Sequence, residues 1–250
     1  MRITDRAMWL LAVLLLLASP ATAMDRTTQA HKGTDYTVCE VDPAQVELRL
    51  FLNDPENDRP LGSFTNVERQ LIAQGRKLAF AMNAGMYHRD RRPVGHYVEN
   101  GVETAPVISS AGPGNFGLLP NGVFCIGDGW ARVYETHRFQ AEQPACNFAT
   151  QSGPMLVIDK ALHPRFLEGS DSLFVRNGVG TSADGQRVWF AISEDRVNFH
   201  DFATLFRDVL KVPQALYFDG NISRLYVPEL DRYDVGLPMG PIVGAVIPAQ

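Results

Sequence analysis

A carboxylate stands where an apolar strand runs out: Ala215-Leu216-Tyr217-Phe218 leads straight into Asp219-Gly220-Asn221-Ile222-Ser223. An apolar run of about four residues stopping at Asp-Gly places the acid at the rim of a sheet. The glycine beside it lets the backbone, and any ligand, come close. A carboxylate so placed serves as a base, a nucleophile or a cation ligand; the same pattern also suits an aspartate that caps its own turn. The stretch before it begins at Arg176-Asn177-Gly178-Val179-Gly180-Thr181, reverses at Asp184-Gly185 and continues through Val188-Trp189-Phe190-Ala191-Ile192. From Arg176 to Ser223 the chain reads as strand, turn, strand, helix, strand and polar loop.

Other chemistries find little support. The six histidines (His31, His88, His96, His137, His163, His200) show no metal-ligand spacing and no HExxH, so no metal is expected. His88 and His96 flank the turn after Asn83 and could line a cleft. No Gly-x-Ser-x-Gly or P-loop occurs, and Gly112-Pro113-Gly114 lacks the Lys-Ser/Thr of a Walker loop. None of Cys39, Cys125 and Cys146 has an activating partner at a recognisable spacing. One disulfide plus one free thiol fits this odd count, with all three pairings open.

Met1 to Ala23 reads as an export signal: Arg2 and Arg6, the apolar run Met8 to Ala18, then Ala21-Thr22-Ala23 as a small-x-small cleavage pattern. The run is well short of the roughly 20 residues of a membrane span, so no stable membrane anchor is expected. A mature chain starting at Met24 in a periplasm or outside the cell follows. The formal net charge of −5, with no basic run, argues against nucleic acid as the main partner.

The elements that would position these residues are short. Met24 to Gly33 reads as a loose arm, and Tyr36 to Val41 and Val46 to Leu52 as strands. A helix is expected from a capping box, Thr65 with Glu68, to Gly75. Leu78 to Met82 is a buried strand ending on Asn83-Ala84-Gly85-Met86-Tyr87, and Val94 to Glu99 with Asn100-Gly101 starts a hairpin. Ser109 to Gly117 is rich in Gly, Ser, Pro and Asn and reads as a flap. Short strands follow at Phe116 to Leu119, Gly122 to Ile126 and Ala131 to Tyr134, and an apolar strand after Gln151-Ser152-Gly153-Pro154. Asn198 caps a helix to about Leu210, with Phe199, Phe202, Leu205, Phe206, Val209 and Leu210 at 3.6-residue spacing. A last strand spans Ile242 to Ile247. With no repeat and no linker, residues 24–250 form one strand-rich α+β domain with a mixed sheet and a few helices.

Five signatures fall in a fixed order: Asn83-Ala84-Gly85-Met86-Tyr87, Tyr97-Val98-Glu99-Asn100-Gly101, Gln151-Ser152-Gly153-Pro154-Met155-Leu156-Val157, Arg176-Asn177-Gly178-Val179-Gly180 and Asp219-Gly220-Asn221-Ile222-Ser223. The ordered set resembles the phosphodiester glycosidase family, over roughly Val38 to Val246. Two departures stand out. Ala84 and Tyr87 replace the second and fifth residues of the family's frequent Asn-Gly-Gly-Met-Phe, and Asn221 replaces the second glycine of Asp-Gly-Gly-x-Ser.

The resemblance implies cleavage of a sugar C1–O bond to a phosphodiester, with an oxocarbenium-like transition state and a phosphate monoester leaving group. That group leaves easily, its second pKa being near 6. Holding its charge therefore contributes more than protonating it. On this reading Asp219 is the catalytic carboxylate, Arg176 clamps phosphate with its fork of donors, and Glu194 or Asp195 supplies the second acid of a two-carboxylate mechanism. Asn83, Gln151, Ser152, Asn177 and Ser223 are donors for sugar or phosphate oxygens, and Gly153 and Gly178 permit close approach. No cofactor is implied, and the partner is a phosphorylated glycan or sugar phosphodiester. Three readings result: a phosphodiester glycosidase acting on a glycan or cell-envelope fragment, a non-catalytic phosphoglycan-binding protein, and a phosphodiesterase cutting P–O.

Overall fold

A computed structural model describes residues 23–249. The leader expected over Met1 to Ala23 lies outside the described residues except for Ala23.

Three sheets carry the fold. The largest runs, in spatial order, through Met24–His31, Thr34–Val41, Val188–Ser193, Asn177–Thr181, Gln214–Asp219, Met155–Ile158 and Ala161–Leu162. A second sheet orders Arg232–Tyr233, Leu225–Val227, Arg76–Asn83, Ile242–Pro248 and Glu47–Phe51. The third orders Val102–Ala105, Tyr97–Glu99, Phe148–Ser152, Gly122–Gly127 and Trp130–Glu135. The expected mixed sheet is corrected: every strand pair among the described residues is antiparallel. Antiparallel pairs need only tight turns, and this chain is rich in Asp-Gly and Asn-Gly steps.

The core sits where the three sheets meet. Phe80, Phe124, Phe190 and Phe218 come from four strands in three sheets, with ring centroids 4.8 Å (Phe80–Phe190), 5.8 Å (Phe124–Phe190) and 6.3 Å (Phe124–Phe218) apart. All four are fully buried, each contributing on the order of 1.5–3 kcal/mol. Phe218 therefore anchors Asp219 one residue from this buried aromatic cluster.

Several local expectations change. Met24–His31 is a strand, not a loose arm, paired along its length with Thr34–Val41. Lys32 and Gly33 both take positive φ, the geometry of a two-residue hairpin turn. As an edge strand it needs little apolar patterning, which is why its polar sequence concealed it. The first helix spans Phe64–Ile72 and is capped by Ser63, whose Oγ accepts the Asn66 N–H at 3.2 Å. Starting there places Phe64, Val67 and Leu71 on one buried face, while Glu68 leaves the helix end and accepts the Leu78 N–H at 2.7 Å. An unexpected helix spans Thr136–Glu142, and Phe116 to Leu119 forms no strand.

Asn198 does cap the later helix, its Oδ1 accepting the Asp201 N–H at 2.8 Å. That helix is α-helical over Phe199–Thr204 and widens to a π turn over Leu205–Val209. Cys125 and Cys146 form the disulfide, joining the Gly122–Gly127 strand to the approach of Phe148–Ser152, and Cys39 is free and buried. No helix among the described residues is long and apolar enough to cross a membrane.

Candidate functional site

Three strand ends converge at Asp219. Asn177 and Asp219 are register partners in the large sheet, and Asn83 ends a strand of the second sheet. The two asparagines join the sheets. Asn177 Nδ2 donates to Asn83 Oδ1 at 2.8 Å and to the Asn83 carbonyl at 3.1 Å. In return Asn83 Nδ2 donates to Asn177 Oδ1 at 3.3 Å. Asn177 Oδ1 also accepts the Asp219 N–H at 3.2 Å, and Asn83 Oδ1 accepts the Arg224 N–H at 2.9 Å. Both side chains are fully buried. The structure makes them a latch beneath the acid rather than donors facing a ligand.

Other motif residues are spent in the same way. Ser152 Oγ donates to the Phe218 carbonyl at 2.9 Å. Ser223 Oγ lies 2.8 Å from both the Val175 and Asp219 carbonyls, fastening the loop after Asp219 to its own strand. Gln151 Oε1 accepts the His96 N–H at 3.0 Å and the Ile108 N–H at 2.9 Å, while its Nε2 donates to the Ile108 carbonyl at 2.6 Å. Gly153 and Gly178 make room for protein rather than ligand. A Cβ at Gly153 would lie 2.7 Å from Asn121 Cβ, and one at Gly178 would lie 2.6 Å from the Leu216 carbonyl.

Asp219 itself opens on a cleft of about 530 Å³, within the range of roughly 300–1,000 Å³ usual for small-molecule sites. Met86, Tyr87, His88 and Val94 wall one side, Pro113 to Phe116 a second, and Phe174, Tyr217 and Gly220 to Ile222 complete it. The expected flap thus supplies a wall. Of the two histidines that flank the turn after Asn83, His88 lines the cleft, whereas His96 is buried against Phe139. Asp219 is 9 % exposed. Burial pushes its carboxyl above the ordinary aspartate range, and the backbone N–H groups of Asn221, Gly220 and Ile222 pull it partly back. Burial, then the charge of Asp219, raises the Tyr87 phenol.

Beneath the cleft floor lies Arg176, wholly buried. Its Nε donates to the Val197 carbonyl and its Nη2 to the Ser172 carbonyl, each at 2.8 Å. The guanidinium stacks 3.6 Å from the Phe199 ring centroid and 5.4 Å from those of Phe174 and Tyr217. Burial lowers its pKa, and the neighbouring Tyr217 hydroxyl opposes this. Among the described residues no carboxylate pairs with it. Its Nη1 and the Tyr217 hydroxyl are both buried without a well-formed hydrogen bond. The Gly220 backbone shields that hydroxyl: a Cβ at Gly220 would lie 2.0 Å from it. The expected clamp is therefore a cation set behind an aromatic floor, and Gly220 accommodates Tyr217 rather than a ligand.

Glu194 is not brought to the cleft. It sits just past the Val188–Ser193 strand, two strands over from Asp219, and Oε1 accepts Thr37 Oγ1 and Arg232 Nη1, each at 2.6 Å. Arg232 thus bridges Glu194 and Asp234, which holds the Glu194 carboxylate there. Among the described residues, Asp219 is the only carboxylate lining this cleft. No group of three or more His, Cys, Asp or Glu among them is placed to hold a metal ion. Tyr87, Tyr217, Phe174 and Asn115, which do line it, were missed. Their only sequence signal was adjacency to the polar turns.

The phosphodiester glycosidase family profile matches residues 76–237. The uncharacterised protein YigE of Escherichia coli (strain K12) is 31% identical over 214 residues, 86% of this chain and 83% of that protein. The catalytic domain of zebrafish N-acetylglucosamine-1-phosphodiester α-N-acetylglucosaminidase, auto-inhibited by its pro-peptide, superposes with a TM-score of 0.63 at 13% identity, over 91% of this chain and 84% of that one. A protein of Burkholderia pseudomallei K96243 gives a TM-score of 0.52 at 10% identity, over 85% and 74%.

Proposed function

The chain belongs to the phosphodiester glycosidase family, and on that premise we propose that it is a hydrolase cleaving the sugar C1–O bond of a glycan phosphodiester. One observation carries the reading: Asp219, the single carboxylate lining it among the described residues, faces a ligand-sized cleft whose floor covers an Arg176 cation that none of their carboxylates pairs with. In water such a charge would matter little. Behind an aromatic floor it is screened far less, and it raises the potential where a phosphate would sit.

In the proposed reaction the C1–O bond breaks and its electron pair goes to the phosphate oxygen. Asp219, ionised, stabilises the positive charge developing at C1, either through space or by forming a glycosyl ester that water then cleaves. The water oxygen ends on the sugar and the water proton passes to Asp219 or solvent. Arg176 stabilises the charge growing on the phosphate, so the absence of a second acid at the leaving oxygen costs little. Tyr87 and Asn115 supply polar contacts for sugar hydroxyls.

That no second carboxylate lines the cleft among the described residues also favours a non-catalytic phosphoglycan-binding reading. Incubation with an aryl α-N-acetylglucosaminyl phosphodiester in oxygen-18 water separates the cases. Label in the sugar supports C1–O hydrolysis; label in the phosphate means P–O cleavage. Intact substrate with saturable binding means a binding protein. The leader-like Met1 to Ala23 and the Cys125–Cys146 disulfide support an exported location.

A further inference from the structure

A second cavity, of about 810 Å³, adjoins the Asp219 cleft. His88 and Val94 line both, so the two share one wall, the turn that begins at Met86. From this we propose that the second cavity is a subsite for a neutral oligosaccharide, continuous with the Asp219 cleft across the His88–Val94 ridge. The inference rests on the glycan reading above for its class of ligand, and goes beyond it in extent.

The lining decides the chemistry. Three carboxylates, Asp54, Asp58 and Glu99, face the cavity against one arginine, Arg92, whose charge Asp90 already answers at 2.7 Å. Such a surface repels a second phosphate and accepts hydrogen bonds from hydroxyl groups. Asn53, Asn100 and Thr104 add neutral groups able to donate as well as accept. Glu99 is fixed rather than mobile, because the buried Tyr97 hydroxyl donates to its Oε2 at 2.8 Å. Pro55, Pro93 and Pro106 supply rigid apolar surface for the faces of sugar rings. At this volume the cavity accommodates a ligand as large as the Asp219 cleft does, or larger.

The test is binding of the full mature chain to an array of neutral, acidic and phosphorylated glycans of one to six sugars, beside two variants. Thr104→Trp fills the cavity from an exposed strand position, and Val102→Trp adds the same bulk on the same strand, at a residue outside the cavity lining. Retention of glycans with a neutral tail of two or more sugars, weakened at least fivefold by Thr104→Trp and unchanged by Val102→Trp, is the result expected. No retained glycan beyond one sugar, retention of acidic tails only, or equal retention by Thr104→Trp overturns the inference. Hydrolysis of the short aryl phosphodiester reports the Asp219 reading separately. Turnover of that substrate without tail-dependent retention sinks the subsite alone; tail-dependent retention without turnover sinks the hydrolase alone.

Discussion

Asn177 holds the backbone of Asp219 through its own side chain: Asn177 Oδ1 accepts the Asp219 N–H at 3.2 Å while its Nδ2 grips Asn83 at 2.8 Å. The acid is thereby fixed relative to two sheets at once. Asn177→Ala leaves the Asn83 Nδ2 amide and the Asp219 N–H unpartnered in a buried place, each costing about 1–3 kcal/mol. Urea unfolding should show a loss of about 2–4 kcal/mol, with kcat falling as well. A change below about 0.5 kcal/mol would remove the latch.

Asp219→Asn should lower kcat by about 10³-fold or more, the scale of losing a principal charged group. Calorimetry should find the melting temperature no lower than wild type at neutral pH. Full turnover in this variant would exclude Asp219 from the chemistry.

The pH dependence follows from burial. Because the folded-state pKa of Asp219 is raised, the native state binds a proton more tightly than the unfolded chain does. This residue's contribution to stability is present below the unfolded pKa and is lost as pH rises through the folded pKa. The acid limb of kcat/KM should have its midpoint above the ordinary aspartate range, and Asp219→Asn should flatten the corresponding stability slope. A limb at the ordinary value would mean that a different group titrates.

Gly220→Ala forces a methyl onto the Tyr217 hydroxyl, whereas the same Cβ lies 3.3 Å from Tyr217 Cζ. The single variant should be destabilised by about 1–3 kcal/mol, as overpacking is. Adding Tyr217→Phe should recover most of that loss, giving a coupling of at least about 1 kcal/mol in a double-mutant cycle. Additive effects would show that the two residues do not meet.

Arg176→Gln removes the buried charge. We expect kcat/KM to fall at least tenfold more for an aryl phosphodiester than for a neutral aryl glycoside of the same sugar. Equal losses on both would assign Arg176 to packing alone.

What could be read from the sequence was the frame. Val188–Ser193, Gln214–Asp219 and Ile242–Pro248 are apolar runs with clear ends, and the carboxylate at the end of one of them does face a cleft. What the residue types did not reveal was which polar groups are already satisfied. Asn83, Gln151, Ser152 and Asn177 resemble ligand donors because buried hydrogen-bonding residues at strand ends have the composition of a binding site. Only the hydrogen bonds made in the folded chain separate the two. The cleft walls escaped for the opposite reason: Tyr87, Asn115 and Phe174 sit in turns without periodicity, and sequence pattern says nothing of what loops face. Glu194 looked plausible by adjacency to a strand end, but sheet order set it two strands away.

The wall formed by Pro113 to Phe116 is pinned at both ends, by Gln151 at Ile108 and by Asn121, whose Nδ2 donates to the Phe116 carbonyl at 3.1 Å. Everything between those pins is exposed up to Asn115 except the half-buried Ser109. Little of that short tip is committed to the core. A different segment grafted between Ile108 and Phe116, keeping Gly112 and Gly117 where they pack together, should alter which ligand the cleft admits while leaving the geometry of Asp219 intact. Selectivity and scaffold would then be free to change separately.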